Sequence, residues 1–62
     1  MIKENRMKQN YTQEELAEIL EISTRQLQRI ECNENNTKIS TLKKIIKILN
    51  IPNQEILKFM KD

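Results

Sequence analysis

The chain has 62 residues and a formal net charge of +2, which admits one domain over 1–62 with a modest core and is too mild a charge to imply nucleic acid without regard to its distribution. It holds no Gly, no His and one Pro, and its apolar residues are overwhelmingly Ile and Leu, so an aliphatic, all-α architecture is expected. One cysteine, Cys32, excludes an internal disulfide and argues against a metal site; no signal-peptide pattern opens the chain and no apolar run could span a membrane, so a cytoplasmic location is expected.

Residues 2–9 (IKENRMKQ) predict a short first helix with poor periodicity, only Ile2 and Met7 being plainly apolar. Asn10 can take the left-handed conformation that ends it. Tyr11 stands just before Thr12, and Leu16 lies at the fourth helical position after it, the placement of a hydrophobic staple. Thr12 with Glu15 three residues on has the spacing of a capping box, opening a second helix over 13–20. Glu14 and Glu15 suit the positive end of that helix. Leu16, Ala17 and Leu20 fall on one face. Glu21-Ile22-Ser23 follows, with Ser23 a good second cap. The third helix, 24–32, carries Leu27 and Ile30 on its apolar stripe and Thr24, Arg25, Gln26, Gln28 and Arg29 outside. Those side chains read base edges and phosphates. A plain inner side with this outer set is what the second helix of a helix-turn-helix presents.

Asn33 is the natural cap after the third helix, and ENNTK reads as a polar loop. The fourth helix, 39–49, lines Ile39, Leu42, Ile45, Ile46 and Leu49 on one face and Lys43, Lys44 and Lys47 on the other. Asn50 can close it. Pro52 suits the start of a fifth helix over 53–60.

TQEELAEIL, then Ile22-Ser23, then QLQRIE, then ISTLKKIIKILNI, resembles the Cro/C1-type helix-turn-helix domain, the Xre family, from about Ile2 to Leu57. The Thr-Gln-x-Glu-Leu-Ala opening with the Arg-Ile-Glu close is a fairly specific pair of motifs; a bare helix-turn-helix pattern would be weak. The resemblance implies a compact, lambda repressor-like five-helix bundle. Such domains belong to bacterial and phage transcriptional regulators and usually bind double-stranded operators as dimers. Carried onto matching positions, it implies that Thr24, Arg25, Gln28 and Arg29 face the major groove. Gln13 would hold a phosphate at the helix N-terminus, Gln26 would lie nearer the backbone, and Lys38 would touch phosphates on the other side. Arg6 and Glu31 match a pair that forms a salt bridge between the first and third helices. The chain departs from the family at Glu21, Asn33 and Asn50, where Gly is usual, and at Asn5, usually apolar.

The plain alternative for Arg25 and Arg29, and more so for Thr24 and Gln28, is a solvated helix face. Lys3, Lys8, Lys43, Lys44 and Lys47 read as solubilising charge, Lys3 and Lys8 adding long-range attraction to DNA. Glu14, Glu15 and Glu18 lack the His, second Cys or Gly-rich loop that would make them catalytic, so no enzyme is expected. Ile19 and Ile48 fall off the main apolar faces, and Phe59 and Met60 are apolar near the C-terminus. They either close the small core or form a homodimer contact through the fifth helix and the loop before it. The expected function is a sequence-specific double-stranded DNA-binding transcriptional regulator, a repressor, reading the major groove with helix 24–32. The alternative is a protein-interaction or antitoxin-like module on the same fold without an operator; the polar, basic Arg25/Arg29 face favours DNA. No cofactor, metal or small-molecule substrate is expected.

Overall fold

The computed structural model describes residues 1–60, with side chains as far as Phe59. Five helices run in order: α1 (Ile2–Lys8), α2 (Gln13–Leu20), α3 (Thr24–Cys32), α4 (Ile39–Leu49) and α5 (Asn53–Met60). No strand occurs among the described residues, and the fold is all-α.

Local chemistry sets the helix ends. Thr12 Oγ1 accepts from the Glu15 amide at 3.0 Å, and Glu15 Oε1 accepts from the Thr12 amide at 2.9 Å. Ser23 and Gln26 repeat the pattern at the start of α3, at 3.1 Å and 2.9 Å. Each cap contributes about 1 kcal/mol. Three helices stop at a left-handed residue: Asn10 (φ 62°), Glu21 (φ 59°) and Asn50 (φ 53°). Asn tolerates this conformation; at Glu21 it costs about 1–2 kcal/mol. The turn nevertheless closes: the Ile22 amide donates to the Ala17 carbonyl at 3.0 Å and the Glu21 amide to the Glu18 carbonyl at 3.1 Å. Those two bonds satisfy carbonyls that the end of α2 would otherwise leave open.

Asn33 does not behave like the other two asparagines. Its φ is −142°, and the chain leaves α3 through a short 3-10 turn, Glu34–Asn36, rather than an unstructured loop. The cause is distant in sequence. Glu34 Oε2 accepts from the Ile2 amide at 2.8 Å and from the Met1 ammonium at 3.3 Å. The carboxylate thereby caps α1 and draws the turn against it.

The core is aliphatic. Ile2, Leu16, Leu27, Ile45 and Leu49 are fully buried, with Ala17, Leu20 and Ile51 beside them. Burying each large aliphatic side chain contributes about 1.5–3 kcal/mol. Tyr11, Ile22, Ile30, Ile46, Ile48 and Ile56 pack half-buried against this cluster. Ile48, off the main stripe of α4, therefore contributes to the core. Ile39 does not: it is 71% exposed at the first position of α4, beyond the edge of the core. Ile19 is exposed, Phe59 half-buried, and the Met60 side chain lies outside the described residues. Asn5, at a position where an apolar residue would pack, is buried and satisfied. Its Nδ2 donates to the Met1 carbonyl at 2.7 Å and to Glu55 Oε1 at 3.0 Å, joining α1 to α5.

Candidate nucleic-acid interface

Helix α3 is held from its inner side. Leu27 is fully buried and Ile30 packs on the core, while the Ser23–Gln26 cap fixes where its first turn begins. What remains outward is polar. Arg25, Gln26, Gln28 and Arg29 are exposed and Thr24 is half-buried. Arg25 and Arg29 stand one helical turn apart on this face. The ion pairs among the described residues are Met1–Glu4, Met1–Glu34 and Arg6–Glu31, so neither α3 arginine is committed to a carboxylate.

The mild net charge is distributed unevenly. The exposed side of α2 carries Glu14, Glu15, Glu18 and, after it, Glu21, whereas α3 and the start of α4 carry Arg25, Arg29 and Lys38. Of these, Arg29 and Lys38 line one groove between α3 and the start of α4.

Two local arrangements gather some of the candidate residues, and Thr24 and Arg25 belong to neither. The first is a groove of about 510 Å³ between α3 and the start of α4, lined by Gln26, Arg29, Thr37, Lys38 and Thr41 among others. Lys38 is exposed at the N-terminal boundary of α4. Thr37 Oγ1 is buried there with no hydrogen-bond partner among the described residues. Gln26 brings only part of its amide to the groove, because its Oε1 is held by the Ser23 amide.

The second arrangement is a polar chain at the N-terminus of α2. Arg6 Nε donates to Glu31 Oε2 at 2.7 Å, and its Nη2 approaches Oε1 at 3.4 Å. Its Nη1 donates to the Tyr11 carbonyl at 2.9 Å. Gln13 Nε2 then donates to Glu31 Oε1 at 3.1 Å, and Gln28 Nε2 approaches Gln13 Oε1 at 3.4 Å. Gln13 thus reaches α3 rather than standing alone at the helix end. Residue type and spacing miss this link. One signal is present: Gln28 and Glu31 stand three residues apart on one helix face, and both reach Gln13 at the start of α2.

Among the described residues, no group of His, Cys, Asp and Glu side chains could hold a metal ion, and no helix is long and apolar enough to cross a membrane. Cys32 is exposed at the end of α3 with a free thiol. In comparison with known proteins, the family model described as helix-turn-helix matches residues 2–56, most of the chain. Nothing among the curated proteins or the solved structures matches it.

Proposed function

The chain belongs to the Cro/C1-type helix-turn-helix family of DNA-binding regulators, and from that membership we propose that it is a sequence-specific transcriptional repressor acting as one domain. It lays α3 in the major groove of an operator and blocks access to a promoter. Thr24, Arg25, Gln28 and Arg29 read base edges; arginine suits guanine and glutamine suits adenine. Gln26 and Lys38 hold one backbone from the groove between α3 and α4. Gln13 adds a contact at the N-terminus of α2, where unpaired amides and the helix dipole favour phosphate.

The observation that carries this reading is the outer face of α3: exposed, polar, and bearing two arginines with no carboxylate partner among the described residues. An interaction module without an operator would more often present apolar side chains there. We further propose that the protein binds as a homodimer through α5, where Leu57 is 65% exposed. A dimer would set two copies of α3 in successive major grooves, roughly 34 Å apart.

Selection of bound sites from random duplex DNA tests the reading, with Arg25→Ala and Arg29→Ala run alongside. A two-fold-related motif that either substitution relaxes is the expected result. A single half-site would remove the dimer. Binding with no enriched sequence would remove the operator, leaving a protein-interaction or antitoxin-like module as the better account.

A further inference from the structure

Helices α2 and α4 bury their apolar sides in the same core, Leu16, Ala17 and Leu20 from one and Ile45 and Leu49 from the other. Their outer sides therefore look away from one another, and each carries charge of one sign. On α2 the exposed set is Glu14, Glu15, Glu18 and, in the turn after it, Glu21; on α4 it is Lys43, Lys44 and Lys47. None of them takes part in an ion pair among the described residues. Like charges at i and i+4, as Glu14 with Glu18 and Lys43 with Lys47, oppose helix formation. The last turn of α2, where a cation would suit the dipole, has no basic residue. Each face also leaves one isoleucine in water. Ile19, one turn after Glu15, is 47% exposed, and Ile39, one turn before Lys43, is 71% exposed. Neither belongs to the core.

We propose that these two faces bind each other between copies of this chain, the glutamate face of α2 on one copy against the lysine face of α4 on the next. The choice of partner follows from the charge. A face of four carboxylates and one exposed isoleucine finds its complement, three ammonium groups and one exposed isoleucine, on the same molecule. Exposed ion pairs are individually weak and are screened by salt, so the contact forms at low ionic strength and high protein concentration. The two faces are different patches, which makes the contact heterologous. It extends into a row or closes into a ring, whereas an isologous dimer stops at two. It is therefore separate from the dimer proposed through α5, and it stands whether or not α3 reads DNA.

Sedimentation velocity across protein concentration reads the contact at about 0.01 M and about 1 M ionic strength, where the Debye length is about 30 Å and about 3 Å. The wild-type chain should grow past two copies at low salt and return at high salt to the single chain or the α5 dimer. Glu18→Lys with Glu21→Lys makes the α2 face basic; Lys43→Glu with Lys44→Glu makes the α4 face acidic. All four positions are exposed and lysine suits the last turn of α2, so these variants should melt with the wild type. Each pair alone should weaken the low-salt association by about tenfold or more. The chain carrying all four changes has the wild-type net charge of +2. It should grow with itself again yet fail to co-sediment with labelled wild-type chain, because each of its faces then meets its own sign. Glu18→Gln with Glu21→Gln, which removes charge without reversing it, should lose part of the association and reads the contact where a reversal disturbs the fold. Growth at low salt from a chain that is single at high salt upholds the contact and removes only the α5 dimer. The proposal is overturned if the wild-type chain stays at two copies or fewer at low salt, or if the reversals leave its growth unchanged. It is also overturned if the fourfold variant joins the wild type as readily as itself, the mark of unspecific attraction.

Discussion

Arg6 and Glu31 meet at 2.7 Å with their side chains only 10% and 5% exposed, pinning α1 to α3. Removing one partner strands the other charge away from water, which costs about 3–5 kcal/mol. Native stability is of the order of 0.1 kcal/mol per residue, so that loss consumes much of what a chain of 62 residues has. Glu31→Ala and Arg6→Ala should each leave a marginally stable protein whose Tm falls by more than about 10 °C. Replacing both by apolar residues of similar volume should be milder than either alone. Thermal melting followed by circular dichroism checks both statements.

Glu21 holds a left-handed conformation that glycine adopts freely. Glu21→Gly should stabilise the fold by about 1 kcal/mol, or roughly 5 °C in Tm. Glu21→Val should lower Tm, because a branched side chain tolerates positive φ less well. Equal melting of all three proteins would contradict the assignment of strain to this turn.

Ser23 and Gln26 cap α3 reciprocally. Ser23→Ala should cost about 1 kcal/mol, whereas Ser23→Asp should be nearly neutral because aspartate accepts the same bond. Urea titration separates the two.

The amino terminus gives the 62-residue chain a pH dependence. Burial opposes the charge on the Met1 ammonium, but its hydrogen bond to Glu4 and the field and hydrogen bond of Glu34 outweigh that and raise its pKa above 8.0. A raised folded pKa adds stability that is fully present below the unfolded value and lost as pH rises through the folded one. Glu4 behaves oppositely. Its hydrogen bond with the amino terminus, helped by a backbone amide, lowers its pKa below 4.5. Its contribution is present above that value and lost as pH falls through the folded one. Denaturant titrations across pH should therefore show stability declining on the alkaline side above about pH 8, the ordinary value of the amine. Acetylating the amino terminus should abolish that decline.

If Lys38 touches phosphate, Lys38→Ala should weaken binding about equally for all duplexes. It should also reduce the log–log salt slope by about 1, while Arg29→Ala changes which duplexes are preferred. Affinities measured between low and moderate salt distinguish the two behaviours.

The helices were legible in the sequence because their ends are written locally. Thr12 with Glu15, Ser23 before the third helix, and Asn10 and Asn50 after the first and fourth each act within a few residues of themselves. Where a partner lies far along the chain, local reading fails. Asn33 resembles Asn10 and Asn50 in type, yet its conformation follows from Glu34 reaching Ile2, 32 positions away. Asn5 stands where the family usually has an apolar residue, and of its two acceptors only the Met1 carbonyl is local; the other, Glu55, lies 50 positions away. Ile39 satisfies the helical period of α4, but periodicity does not say where the core ends. The outer face of α3 could be listed from residue types alone. The grouping of its members into a groove with Lys38 and a chain through Gln13 required the packing of α2, α3 and α4.

The caps and stops that terminate these helices have a kinetic consequence. Helices defined by contacts within a few residues form early, and chains dominated by local contacts fold in about microseconds to milliseconds. The bonds that span long stretches of sequence, from Arg6 to Glu31 and from Ile2 to Glu34, can form only once the first and third helices have met. A change that weakens them should then leave the rate of folding nearly untouched and act by hastening its reverse, shortening the lifetime of the native state.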